Sequence, residues 1–125
     1  MSSHDTLLSP TTVGGLELKN RVVMAPMTRN QSPENIPTAA SVEYYRKRAA
    51  GGVGLIVTEG TCVDHIAASG YPDVPYFYGD ERLAGWKRVV EAVHAEGGKI
   101  APQLWHVGGM RKRGVLPEGD VDGYA

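Results

Sequence analysis

Between Ala25 and Pro37 the chain reads APMTRNQSPENIP, and the absence of glycine from this stretch decides between two folds. Just before it stands Val22-Val23-Met24-Ala25, a short apolar and β-branched run stopped by Pro26. Such a run is expected of a strand buried on both faces. The strand is introduced by a polar-apolar alternation beginning at Leu16, so residues 16–28 read as one strand with its lead-in. After the proline-rich loop 31–37, Thr38 is a suitable N-cap, and Val42, Tyr45 and Ala49 recur at helical spacing before Gly51-Gly52.

A second apolar run, Val53 to Thr58, ends at Glu59-Gly60, and a loop rich in turn residues is expected from Thr61 to Gly79. Asp80 is then a plausible N-cap. Leu83, Trp86, Val89, Val90 and Val93 form one apolar stripe along a helix that Gly97-Gly98 closes. Lys99 to Trp105 supplies a third strand, whose internal Pro102 is tolerable near a strand end. The order is β-α-β-α-β, which implies a parallel sheet covered by helices.

Two architectures satisfy that order, an open doubly wound sheet or part of a (β/α)8 barrel. An open nucleotide-binding sheet carries a glycine-rich turn after its first strand, and the turn quoted above has none. Polar candidates instead follow every strand: Thr28, Glu59, and Gln103 with Trp105 and His106. In a barrel such strand ends converge on one mouth, where active sites form. The reading is therefore an α/β chain forming the first three β/α units of a TIM barrel with a short N-terminal lead-in. Residues 1–125 are expected to be the N-terminal part of a single domain.

Composition narrows the partners. In 125 residues there are 13 basic and 14 acidic side chains, a formal charge of −1, so neither nucleic acid nor an anionic membrane is favoured. Arg111, Lys112 and Arg113 are expected to form a solvated basic turn. The single cysteine, Cys62, allows no internal disulfide and is expected to be an inert thiol. No pair among the four histidines has helical metal-ligand spacing, so no metal site is expected. The N-terminus lacks a signal-peptide pattern and no apolar run approaches a membrane span, which favours a cytoplasmic location.

Three strand-end segments carry a resemblance: NRVVMAPMTR at 20–29, VTEGT at 57–61 and QLWHVG at 103–108. With the PTAASVEYYRKRA helix and the stretch from Ser69 to Ile100, in this order, they resemble the N-terminal part of the old yellow enzyme family. These are flavin-dependent ene-reductases on a (β/α)8 barrel. The resemblance implies FMN as cofactor and NADH or NADPH as reductant. It also implies hydride transfer through flavin N5 to a small-molecule activated alkene (an enone, enal or nitroalkene).

The resemblance further implies that Ala25, Pro26 and Met27 pass along the flavin, that Thr28 donates to its C4 carbonyl oxygen, and that Gly60 lets backbone approach the ring. Gln103 is expected on the pyrimidine edge, because one amide offers both donors and an acceptor. Tyr71 and Trp105 are expected to shape the substrate pocket. Glu59 reads as a solvated or salt-bridged carboxylate rather than a catalytic one.

A complete barrel of this kind takes about 250 residues. The catalytic proton donor, the groups that anchor the substrate and the phosphate grip are thus expected beyond Ala125. A piece of this size is expected to leave strand edges and apolar faces uncovered. The missing C-terminal part of the barrel, or a homo-oligomer, is the partner expected to cover them. Two other readings stand beside the ene-reductase: a non-catalytic remnant with weak or no flavin binding, and a fragment of an iron–sulfur flavoprotein relative.

Overall fold

The computed structural model describes residues 2–111. A short helix α1 (Ser3–Leu8) is capped by Ser2, whose side chain and that of Asp5 each accept the other's backbone N–H. It leads into an antiparallel hairpin of β1 (Thr11–Val13) and β2 (Leu16–Leu18). Its two-residue turn is Gly14-Gly15, with φ of +54° and +84°. Positive φ at both central positions matches the twist of the flanking strands and is open to glycine without penalty. The hairpin corrects the expectation for residues 16–28: Leu16–Leu18 pairs backward with Thr11–Val13, and the strand that follows, β3, covers only Val23–Met24.

β3, β4 (Leu55–Cys62) and β5 (Lys99–Trp105) form one parallel sheet in sequential order. Between them lie α2 (Ala39–Ala50) and α3 (Asp80–Ala95). Two complete strand-to-helix units and a third strand are thus described. The helix expected to complete the third unit falls outside the described residues. Half of a doubly wound sheet shares this strand order, so topology alone does not separate the two architectures.

The helices form for the expected reasons, with one correction. Thr38 caps α2 in a reciprocal box with Ser41, and Ser41, Tyr45 and Ala49 form its buried stripe. Helix α3 is capped by Gly79, not Asp80. Asp80 is the first helical residue and makes no side-chain cap, but with Glu81 it places carboxylates in the first turn, where the helix dipole favours them. Tyr45, Ala49, Ile56, Trp86, Val89 and Val93 make the main core between the helices and the sheet. Leu83, the first residue of the α3 stripe, stays exposed. It lines an apolar cavity of about 190 Å³ beside β5 with Trp86, Val90 and Ile100.

β4 is longer than expected. Its last residues pair with β5 on one side, while Cys62 bridges to Tyr76 on the other, where β3 has already ended. Cys62 N–H donates to the Pro75 carbonyl, and Phe77 N–H donates to that of Cys62. The loop after β4 thereby satisfies backbone groups that a two-residue β3 leaves open. Both outer strands keep a free edge among the described residues, and Val23, Met27 and Leu104 are about half exposed, as expected of an unclosed sheet. No helix among the described residues is long and apolar enough to cross a membrane.

Candidate functional site at the strand ends

Gly60 on β4 stands opposite Gln103 on β5, and Cys62 stands opposite Trp105. Between Val57 and Gly60 the register slips: Thr58 and Glu59 together face Pro102. Proline offers no N–H to the ladder, so a bulge forms where its donor would be. The Thr58 hydroxyl fills part of the gap, accepting from Gln103 N–H at 3.1 Å and donating to the Glu59 carbonyl at 2.8 Å. Gln103 is thus fixed through its backbone. Its side-chain amide has no hydrogen-bond partner among the described residues and is only half-buried.

Ala25, Pro26, Met27 and Thr28 leave β3 as exposed chain outside any regular element. The Thr28 hydroxyl has no partner among the described residues. The next residue, Arg29, crosses to β4. Its Nε and Nη2 donate to Glu59 Oε2 at 3.1 and 2.9 Å, and the same oxygen accepts from the Tyr45 hydroxyl at 2.7 Å. Glu59 is buried, so its salt-bridged reading holds and its solvated one does not. Burial, with the Glu59 charge beside it, pushes the Tyr45 phenol well above its ordinary range.

Gly60 has a sharper reason to be glycine than sequence alone offers. A Cβ there would lie 2.5 Å from the Trp105 ring. Within the chain, the group packed against Gly60 is the Trp105 indole. That indole donates from Nε1 to Cys62 Sγ at 3.2 Å and lies against Tyr71, ring centres 5.9 Å apart. Tyr71 and Trp105, both expected at a substrate pocket, are in contact with each other. Burial pushes the Cys62 thiol up, against the smaller effect of the Trp105 donor.

Thr28, Gly60 and Gln103 thus come to one end of the sheet. The polar hydroxyl and amide have no partner among the described residues, and exposed chain lies at 25–28. This donor and acceptor set suits the polar edge of a flavin ring, where carbonyl oxygens flank an N–H.

Two features escaped the sequence. The Arg29–Glu59–Tyr45 cluster joins residues 30 and 14 positions apart and has no local signature. Arg111 is half-buried rather than solvated: its guanidinium donates to the Ile66 carbonyl at 3.1 Å and also to that of Ser69. Lys112 and Arg113 lie outside the described residues. His106, exposed, turns its Nδ1 to the Gly108 N–H at 3.2 Å.

Comparison with known proteins bears on the whole chain. Residues 6–124 match the family described as NADH:flavin oxidoreductase / NADH oxidase. 12-Oxophytodienoate reductase 7 of Oryza sativa subsp. japonica is 44% identical over 113 residues, which is 90% of this chain and 28% of that protein. 12-Oxophytodienoate reductase 2 of Arabidopsis thaliana is 41% identical over 111 residues, covering 89% of this chain and 29% of its own length. The solved structure of morphinone reductase in complex with tetrahydroNAD superposes with a TM-score of 0.84 at 46% identity, over 91% of this chain and 31% of that one. An old yellow enzyme homologue from Zymomonas mobilis gives 0.78 at 36% identity, over 85% of this chain and 29% of that one. The chain spans about 30% of the length of the relatives it matches. These solved relatives are TIM barrels, which decides between the two architectures left open by topology.

Proposed function

The chain belongs to the NADH:flavin oxidoreductase / NADH oxidase family, whose cofactors are FMN and a nicotinamide coenzyme, and from that premise we propose that it supplies one wall of an FMN site. Residues 1–125 are then the N-terminal part of one FMN-binding barrel domain. The observation that supports this reading is the pairing of Gly60 with Gln103 at one end of a sequential parallel sheet, with Thr28 four residues past the end of β3 and no partner for its hydroxyl or for the Gln103 amide among the described residues. Bound FMN would supply the hydride-transfer chemistry between NAD(P)H and the β-carbon of an alkene conjugated to a carbonyl or nitro group.

The chain's own residues bind and orient. Gln103 pairs its amide with the ring's polar edge. Thr28 would donate its hydroxyl to a carbonyl oxygen of the flavin's polar edge. Ala25, Pro26 and Met27 lie along the ring by their backbone, and the fixed φ of Pro26 holds that backbone still. Tyr71 and Trp105 present an aromatic wall to an apolar alkene. No group here is assigned to protonate the product; that acid is placed on residues after Ala125. The rest of the barrel, or a second copy of the chain, covers the free edges of β3 and β5. A cytoplasmic setting agrees with a lone, buried cysteine.

The test is spectroscopic. Purified protein supplied with FMN should show a bound-flavin absorption band that NADH or NADPH bleaches anaerobically and an enone restores. Protein that quenches no FMN fluorescence and stays colourless would instead support the non-catalytic remnant, a reading that the half-exposed Val23, Met27 and Leu104 favour for these 125 residues by themselves.

A further inference from the structure

The Arg29–Glu59 pair touches none of the residues' functional atoms assigned above, yet it sits between them. Arg29 directly follows Thr28, and Glu59 directly precedes Gly60. A buried ion pair is a weak stabiliser, because desolvating both charges offsets most of their attraction. Apolar side chains would hold this corner as well. A reason for charge must lie in what it specifies.

The geometry is a clamp with its fixed jaw on α2. Tyr45 is fully buried, and its hydroxyl donates to Glu59 Oε2 at 2.7 Å while accepting from the Glu59 backbone N–H at 2.9 Å. Side chain and backbone of Glu59 are therefore tied to one atom, at the bulge where Pro102 cannot supply a ladder bond. The Arg29 guanidinium brings two donors to the same carboxylate oxygen, reaches Ser41 Oγ at 3.2 Å, and lies 3.9 Å above the Tyr44 ring. Arg29 thus fastens the segment after β3 to both α2 and β4, while Asn30 Nδ2 ties it to the Pro72 carbonyl.

We propose that Arg29, Glu59 and Tyr45 are positioning residues that set Thr28, Gly60 and Gln103 in register for the flavin edge before the ligand arrives. The proposal rests on the flavin reading above. It assigns these residues no contact with FMN. Preorganisation of this kind should appear as affinity and potential rather than as folding alone.

The test compares Arg29→Lys, Tyr45→Phe and Glu59→Gln with Arg46→Ala in the full-length protein. Arg46 forms a shorter ion pair with Glu96, at 2.6 Å, at the helix surface and away from the strand ends. Two quantities are read on FMN-loaded protein, the dissociation constant and the reduction potential. A third, amide exchange at Glu59, is read on the apoprotein. The clamp variants should weaken FMN binding about tenfold and lower the potential. Their effect on the potential should be less than additive with Thr28→Ala, since both act through one hydroxyl. Exchange at Glu59 should quicken in Tyr45→Phe, and Arg46→Ala should match wild type throughout. Folded clamp variants with wild-type affinity and potential would overturn the proposal, even if exchange quickens, because the cluster would then be structural only. Should Glu59→Gln fail to fold, Tyr45→Phe, which keeps the ring, decides. Wild-type protein that binds no FMN would overturn the flavin reading itself, an outcome distinct from variants that bind as wild type does.

Discussion

The helix-covered face of the β3–β4–β5 sheet and its strand ends are built on opposite terms. On the first, Ile56, Tyr45, Ala49, Val89 and Val93 are fully buried and interdigitate. At the second, Met27, Thr28 and Leu104 face outward, and the amide of Gln103 and the hydroxyl of Thr28 have no partner among the described residues. The contrast teaches that stability and recognition are allotted to different ends of the same strands. Glu59 is the exception that joins them, a charge placed in the covered layer one residue before the site.

Substitutions should separate the two regions. The largest loss is expected at Trp86, which closes the core and donates to the Tyr76 carbonyl at 3.2 Å. Trp86→Ala should cost about 3–5 kcal/mol in denaturant unfolding, whereas Leu104→Ala, on the open edge, should cost less than about 0.5 kcal/mol. Equal losses would erase the contrast.

Gly60→Ala comes next, because it forces a methyl into the Trp105 ring. Overpacking of this kind costs about 1–3 kcal/mol. The displaced indole should report itself as a red-shifted tryptophan emission. Adding Trp105→Ala to the same protein should recover much of the loss; no recovery would mean that the glycine serves something else.

Thr28→Ala should leave stability unchanged, since the residue is exposed and its hydroxyl has no partner among the described residues. In the flavin-loaded protein the lost donor should cost about 1–2 kcal/mol, which lowers a two-electron potential by roughly 20–45 mV. An unchanged potential would remove Thr28 from the site.

The smallest effect is expected from Cys62. Burial raises its folded pKa, so the folded thiol keeps its proton where the unfolded one has lost it. Its contribution is therefore complete below the unfolded value of about 8.5 and shrinks as pH rises beyond it. Stability should fall on the alkaline side, and Cys62→Ala should flatten that slope.

Much of the fold was legible because its signals are local. β5 occupies Lys99–Trp105 as read, α2 begins at Thr38, and the α3 stripe buries Trp86, Val89 and Val93. The misreadings had local causes too. Gly14-Gly15 between short runs is a hairpin signal that was absorbed into a lead-in. Asp80 competed with Gly79 for a cap that requires only the right backbone. Leu83 lies on the stripe, but the cavity beside it leaves it open. The end of β4 could not be read, since on the side away from β5 its backbone is satisfied by Pro75 and Phe77 of the loop that follows it. At the site, the proposed residues come from family motifs, while the contacts that hold them could not be read. Arg29 meets Glu59 across 30 positions, and Trp105 fills the space of Gly60 across the sheet.

The central claim, that these strand ends form one wall of an FMN site, is tested most directly in a complete barrel. This chain can replace the matching segment of morphinone reductase, to which it is 46% identical, and FMN binding can be measured by fluorescence quenching. The account predicts a fused barrel that binds FMN, and a Thr28→Ala/Gln103→Ala form of it that binds at least about tenfold more weakly. A folded fused barrel whose affinity is the same with and without those two side chains would contradict it.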